Sequence, residues 1–223
     1  MNKKIFFLTL FSIAMGFLEA AVVIYLREIY YPHGFHFPMA AMSIILSNTE
    51  LLRELATILM LLSITFLVGK TLTEKFAVFI FCFAIWDIFY YVFLFLILGW
   101  PESLFTWDIL FLIPIIWTSP VLAPILVSIT FILYSLIIFK KNKYKNTPIG
   151  LFNWILIIVG SIIIYISLTS DFMLYYLHNR SNELNNAMLN KFVFSYIPYK
   201  FNWLVFGIGE AFWLFSLYKY VKK

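Results

Sequence analysis

Residues Phe76–Leu98 read FAVFIFCFAIWDIFYYVFLFLIL, an apolar run in which Asp87 is the only charged residue. A hydrocarbon layer about 30 Å thick needs about 20 helical residues to cross it, so the run is long enough for one membrane span. A carboxylate inside such a span costs about 2.5–3.5 kcal/mol on insertion scales. Asp87 is therefore expected to face another helix or a cavity rather than lipid.

The composition of the whole chain agrees with this run. Of 223 residues, 63% are hydrophobic and only 12% are charged, and the mean hydropathy is +0.94. Soluble domains normally carry about 25% charged residues, so the composition predicts an integral membrane protein whose first partner is the lipid bilayer. The single cysteine, Cys82, excludes an internal disulfide and a thiolate zinc site.

Five further segments qualify as spans, and the six together predict one all-α transmembrane domain over residues 1–223. The predicted spans are residues 5–30, 48–68, 76–98, 117–139, 149–170 and 201–219. Span two is expected to begin at a capping box, Ser47-Asn48-Thr49-Glu50, and to end at Gly69. The long link at 101–116 is expected to lie along the outer interface or to dip back into the protein, and the link at 171–199 to lie along that interface. Asp108 would sit at the membrane surface beside interfacial tryptophans.

The distribution of lysines predicts the orientation of the chain. If the six spans alternate, one side holds Lys3, Lys4, Lys70, Lys75, Lys140, Lys141, Lys143, Lys145, Lys219, Lys222 and Lys223. The positive-inside rule makes this side, with both termini, cytoplasmic, and predicts a multi-pass protein of the inner (cytoplasmic) membrane. The net charge of +5 is explained by these span ends, so no nucleic-acid partner is expected.

Ionisable residues inside the predicted spans lie at similar depths. At 1.5 Å per residue, Glu19 and Asp87 lie about 21 Å and about 16 Å from the cytoplasmic ends of their spans. Glu210 lies about 14 Å from the outer end of span six. These depths predict an outward-opening pocket that ends near the midplane. Its expected lining is Glu19, Arg27, Glu50, Arg53, Glu54, Asp87, Tyr90, Tyr91 and Glu210.

A small residue precedes three of these carboxylates by one helical turn. The pairs are Gly16 with Glu19, Ala84 with Asp87 and Gly207 with Glu210. Small residues allow neighbouring helices to approach closely. The pattern therefore predicts that spans one, three and six meet at these carboxylates.

The predicted pocket has one deeply placed cation, Arg53. It faces five carboxylates: Glu19, Glu50, Glu54, Asp87 and Glu210. An unpaired carboxylate in a low-dielectric interior must be protonated, hydrated or neutralised by a bound cation. A divalent metal is one option, because carboxylates suit hard cations. Its predicted ligands are Glu19, Glu54, Asp87 and Glu210, with His33 and His36 at the rim. A His-x-x-His in a loop is, however, more often a pair of surface histidines.

Three function classes fit these features. The first is binding or transport of a cationic species: a metal ion, a proton or an amine-bearing solute. A transporter this small would need to form a homo-oligomer or join a larger membrane complex. The second is a membrane-embedded enzyme acting on a lipid or isoprenoid at the outer leaflet. The third is a structural or assembly subunit in which the polar residues hold helices together.

Overall fold

The computed structural model describes residues 3–143, 147–179 and 194–223, and these contain six helices and one short antiparallel strand pair. The helices are α1 (Lys3–Tyr30), α2 (Ile44–Val68), α3 (Leu72–Leu98), α4 (Leu122–Asn142), α5 (Leu151–Asn179) and α6 (Trp203–Lys222), and the strands are β1 (Trp107–Phe111) and β2 (Trp117–Pro120). Each helix is long and apolar enough to cross a membrane. The predicted six-span helical architecture of a multi-pass membrane protein is thus confirmed in outline.

Contacts between helix ends show that neighbouring spans alternate in direction. Three hydrogen bonds join these ends: Lys4 Nζ to the Val68 carbonyl (3.3 Å), the Ile149 N–H to Thr73 Oγ1 (3.1 Å), and Lys141 Nζ to the Tyr220 carbonyl (2.7 Å). The starts of α1, α3 and α5 therefore lie at the same end of the bundle as the ends of α2, α4 and α6. We call this the basic end, after its lysines, and the opposite end the hairpin end.

Helix α2 begins one turn earlier than the capping box predicts. Ser43 is the N-cap, and its hydroxyl accepts a hydrogen bond from the Leu46 N–H at 3.3 Å. No proline or glycine separates Ser43 from Ser47, so the helix extends back to the first residue able to cap it. The predicted C-terminal end is confirmed, since the Gly69 N–H donates to the Thr65 carbonyl at 2.9 Å.

The link at 101–116 dips back into the protein, the second of its two expected courses, and the β-hairpin that it forms there also replaces the predicted start of span four. Strand β2 takes up residues 117–120, and α4 begins only at Leu122. Pro120 explains the later start of α4, because the residue before a proline disfavours the helical backbone conformation. Asp108, Thr118 and Ser119 are at most 2% exposed, so the hairpin runs through the interior of the bundle. Hydrogen bonds between β1 and β2 satisfy backbone N–H and C=O groups that water does not reach.

Helix α5 is longer than predicted and continues to Asn179. Its residues 161–179 contain no proline or glycine, so nothing in the sequence ends the helix at Ser170. Residues 171–179 of the predicted interfacial segment therefore form the end of α5. Residues 180–193 of that predicted segment lie outside the described part of the chain. Asp171 in α5 binds the segment before α6, accepting from the Tyr196 hydroxyl at 2.7 Å.

Glycines mark the closest helix contacts. A Cβ on Gly16 of α1 would lie 2.9 Å from the Trp86 carbonyl oxygen of α3, so the predicted close approach of these helices is confirmed. The prediction that span six meets spans one and three at their carboxylates is wrong, because α6 packs mainly on α5 and to a lesser extent on α4, and its ring contact with α3 joins Trp213 to Phe76 instead. Gly209, not Gly207, makes the contact with α5. A Cβ on Gly209 would lie 2.9 Å from the Gly160 carbonyl oxygen, whereas a Cβ on Gly207 would have no neighbouring atom of the described residues within 4 Å.

Alanine at the two α6 glycines is expected to have opposite effects. Gly209→Ala should lower the free energy of unfolding by about 1–3 kcal/mol, because the new methyl group forces α5 and α6 apart. Gly207→Ala is the matched control and should be neutral or stabilising by up to about 1 kcal/mol, since alanine favours helix. Reversible unfolding in mixed detergent micelles measures both. Equal destabilisation by the two substitutions would contradict this packing.

The apolar core fills the half of the bundle nearest the basic end. Leu8, Leu61 and Val78 pack together between α1, α2 and α3 and are at most 2% exposed. Tyr134 and Ile138 of α4 are fully buried against α6 and α5. The open volume and the carboxylates and arginines that line it lie in the other half, towards the hairpin end.

Candidate ligand cavity

A cavity of about 310 Å³ occupies the half of the bundle nearest the hairpin end, and all six helices and both strands contribute to its wall. Its lining runs from Tyr31 and Phe35, in the link after α1, to Phe131 and Trp213 in the middle of the bundle. Twelve aromatic side chains, five carboxyl groups and two guanidinium groups belong to this lining. Small-molecule sites typically have volumes of about 300–1,000 Å³, so the cavity has the size of a small ligand site.

Eight of the nine residues predicted to line the pocket do so: Glu19, Arg27, Glu50, Arg53, Glu54, Asp87, Tyr90 and Tyr91. The ninth, Glu210, lies outside the cavity lining and accepts a hydrogen bond from the Thr130 hydroxyl of α4 at 2.7 Å. The neighbouring Gly209 faces α5, which turns Glu210 towards α4. Glu210 thus belongs to the contact between α4 and α6.

The four carboxylates of the predicted metal site do not converge. Within residues 3–143, 147–179 and 194–223, no group of three His, Cys, Asp or Glu side chains has an arrangement that could hold a metal ion. Glu210 lies outside the cavity, and the other three acids have separate partners, described below. His33 and His36 are exposed and do not line the cavity, and the His36 ring instead packs edge-on against Tyr31 at 5.6 Å between centroids.

One side of the cavity carries an ion triad. The Arg53 guanidinium lies between Glu19 of α1 and Glu50 of its own helix, pairs with both, and donates from Nε to Glu50 Oε2 at 2.9 Å. Thr57, one turn further along α2, donates its hydroxyl to Glu19 Oε2 at 3.3 Å. The triad therefore ties α1 to α2, and Arg53 neutralises part of the charge of two carboxylates.

Glu54 holds the tip of the hairpin. Its carboxylate accepts hydrogen bonds from the Leu112 N–H at 2.9 and 3.0 Å and from the Ile113 N–H at 3.2 Å. The side chain is 5% exposed. Because a hairpin tip inside a bundle must satisfy these N–H groups, the role of Glu54 is to position the hairpin.

Removing the Glu54 carboxylate should loosen the hairpin tip. We expect Glu54→Ala to cost about 1–3 kcal/mol for each N–H left without an acceptor, and Glu54→Gln, which keeps one carbonyl oxygen, to cost less. Hydrogen exchange at the Leu112 and Ile113 amides measures the effect locally. Glu28→Ala, at an exposed glutamate of α1, is the control. Unchanged exchange in Glu54→Ala would contradict the assignment.

Arg27 and Asp108 form a second ion pair, which the sequence analysis missed by placing Asp108 at the surface. Arg27 Nη2 lies 3.5 Å from Asp108 Oδ1, and the two side chains are 8% and 4% exposed. The Tyr91 hydroxyl donates to Asp108 Oδ2 at 3.1 Å. Burial raises the pKa of Asp108 to about 6, although the nearby Arg27 guanidinium acts to lower it.

Aromatic rings hold the Arg27 guanidinium in place. Its central carbon lies 3.6 Å from the Trp100 ring centroid and 4.6 Å from that of Phe35. Planar guanidinium groups stack favourably on such rings. The sequence did contain a signal for this pair. Ionisable residues in membrane spans usually pair with one another, and Arg27 and Asp108 both lie towards the hairpin end, in α1 and in the link after α3.

Asp87 differs from the other lining carboxylates. Its Oδ2 accepts a hydrogen bond from the Ser128 hydroxyl of α4 at 2.8 Å. Among the described residues, no lysine, arginine or histidine forms a salt bridge with it. Asp87 therefore presents a carboxyl group to the cavity with one neutral donor.

No family model, curated protein or solved structure matches the chain. An argument about function accordingly rests on the cavity and on the chemistry of its lining.

Proposed function

We propose that this protein binds a cationic solute in the cavity, with Asp87 as the counter-ion, as a binding protein or transporter. The observation that supports this most directly is the contrast between Asp87 and its neighbours. Each of the other lining carboxylates has a guanidinium or two backbone N–H groups as partners. Asp87 has one hydroxyl. A bound cation supplies the missing neutralising charge.

The net charge of the lining favours the same kind of ligand. Five carboxyl groups and two guanidinium groups line the cavity. Both arginines already pair with carboxylates, so an anionic ligand would have to compete with those acids. An enclosed surface of one sign attracts and concentrates ligands of the opposite sign.

A purely structural role explains part of the polar network. Arg53, Glu19 and Glu50 join α1 to α2, and Glu54 holds the hairpin, so these residues contribute to helix packing whatever the ligand. Asp87 makes one side-chain hydrogen bond, with Ser128, and a serine alone leaves this half-buried carboxylate without a counter-charge. We therefore assign the binding role to Asp87.

The proposal includes an orientation in the inner membrane. The lysine-rich basic end faces the cytoplasm by the positive-inside rule, so the hairpin end faces outward. The cavity lining begins at the hairpin end, with Tyr31 and Phe35, and the packed core lies towards the basic end. In this orientation the cation enters from outside and stops near the midplane.

Thermal unfolding of the purified protein in lipid nanodiscs tests the proposal. A ligand that binds the folded state at 100 times its Kd stabilises that state by about 2.7 kcal/mol, so at least one of Na⁺, Mg²⁺, Mn²⁺, methylammonium and phenethylammonium should raise the Tm. The increase should disappear in Asp87→Asn and persist in Glu210→Gln, which changes a carboxylate outside the cavity. A shift as large in Asp87→Asn as in the wild type would contradict the proposal.

A further inference from the structure

We infer that the cation is a monovalent organic amine whose ammonium group sits on Asp87 and whose apolar, ring-sized body fills the aromatic part of the cavity. This inference deepens the proposed function and rests on it. It follows from three properties of the site: the number of free carboxylates, the size of the cavity and the chemistry of its wall.

The number of free carboxylates sets the charge of the ligand. Glu19 and Glu50 pair with Arg53, Asp108 pairs with Arg27, and Glu54 accepts from the hairpin backbone. Within the described part of the chain, Asp87 is the one lining carboxylate with neither a guanidinium nor a pair of backbone N–H groups as partners, so a single ammonium group is enough to give it a counter-charge. Divalent metals are usually held by several oxygen ligands, and no such group exists among the described residues.

The cavity is too large for a single bare ion to fill it. A volume of about 310 Å³ falls in the range of small-molecule sites, about 300–1,000 Å³. A single inorganic ion beside Asp87 would leave most of this space without a partner. A molecule with a ring and a short chain matches the volume better.

The wall around Asp87 is aromatic. Phe83 and Tyr90 lie about one helical turn to either side of Asp87 on α3, and both line the cavity. On α4, Phe131 lies one turn from Ser128, and its ring packs against Phe83 at 6.0 Å and against Trp213 at 4.6 Å between centroids. Aromatic rings pack against the apolar part of a ligand, and their quadrupoles attract its ammonium group.

The geometry at Asp87 accommodates an ammonium donor. Ser128 donates to Oδ2 at 2.8 Å and fixes the orientation of the carboxylate. An N–H of the ligand then bonds to Oδ1, so one serine and one amine satisfy the group. Ser128 acts in this arrangement as a positioning residue.

Isothermal titration calorimetry of the full-length protein in nanodiscs tests the ligand class with four probes: phenethylammonium, 2-phenylethanol, methylammonium and Mn²⁺. Phenethylammonium should bind with one site per chain. The neutral 2-phenylethanol should bind at least tenfold more weakly, since it lacks the charge. Methylammonium should also bind at least tenfold more weakly, since it lacks the ring.

Two variants assign the contributions to residues. Asp87→Asn should remove most of the preference for phenethylammonium over 2-phenylethanol, whereas Glu210→Gln should leave it intact. If Asp87→Asn does not fold, Phe131→Leu provides an independent test. It should weaken phenethylammonium severalfold and change methylammonium much less, because methylammonium has no ring to pack against Phe131.

Different results overturn different parts of the account. Methylammonium or Mn²⁺ binding as tightly as phenethylammonium, with dependence on Asp87, would overturn the inferred ligand class and leave the proposed cation site standing. Binding of 2-phenylethanol as tightly as phenethylammonium, or no binding of any of the three cations, would overturn both.

Discussion

Replacing Arg53 with leucine is expected to lower the free energy of unfolding by about 3–5 kcal/mol, the range for breaking a buried ion pair by removing one partner. The substitution leaves two carboxylates, Glu19 and Glu50, close together without their cation. Their side chains are only 14% and 11% exposed, so water compensates poorly for the lost charge. Unfolding by a denaturing detergent, followed by circular dichroism, measures the loss.

A triple substitution separates lost charge from lost packing. Adding Glu19→Gln and Glu50→Gln to Arg53→Leu removes all three charges and should restore most of the stability, because buried ion groups are often replaceable by neutral ones. If the triple variant is as unstable as Arg53→Leu alone, the uncompensated carboxylates are not the cause, and the assigned role of the triad is wrong.

Arg27→Leu is expected to have an effect of similar size, about 3–5 kcal/mol, because it leaves Asp108 buried and without a cation. Asp108 would keep the hydrogen bond from the Tyr91 hydroxyl, which is a neutral donor. The same substitution removes the guanidinium that stacks on Trp100 and Phe35, so the links that bear these rings lose packing as well. Detergent unfolding and tryptophan fluorescence together report both losses.

Two further variants at this pair separate its contributions. Arg27→Lys keeps the charge and loses the planar stacking, so it should retain part of the stability. Arg27→Leu combined with Asp108→Asn should recover much of the loss. Equal stability of Arg27→Leu and the wild type would show that the pair, whose closest N–O distance is 3.5 Å, contributes nothing measurable.

Hydropathy and length account for the helices that the sequence predicts correctly. The run Phe76–Leu98 is too apolar and too long to be anything but a span. Helix α3 differs from it only by starting at Leu72, after the Thr71 cap. The hairpin is different, because WDILF is a short, mostly apolar segment and WTSP directly precedes the apolar run of α4, so it resembles the first turn of that span. Short apolar runs do not distinguish strand from helix, and tertiary pairing decided between them.

The positions of the carboxylates along the chain could be predicted, but their partners could not. Depth follows from counting residues, so the eight lining residues were within reach of the sequence. Partners depend on how each helix is rotated about its axis. Gly209 faces α5, and this rotation places Glu210 on Thr130 rather than beside Glu19. Spacing within one helix carries no information about such rotation.

The central claim is that a cation reaches Asp87 from the hairpin end, and the single native cysteine allows a direct measurement. Cys82→Ala removes the only thiol, and Asp87→Cys then places one at the site. Cationic and anionic methanethiosulfonates that do not cross membranes are applied to intact cells and to inverted vesicles, with rates normalised to a free thiol. Glu210→Cys in the same background is the control.

The account predicts that the cationic reagent modifies the Asp87→Cys variant from outside the cell, on the order of tenfold faster than the anionic one, because the remaining carboxylates attract positive charge. The Glu210→Cys variant should react little, since that position lies outside the cavity. Modification only in inverted vesicles, or equal normalised rates for the two reagents, would contradict the central claim.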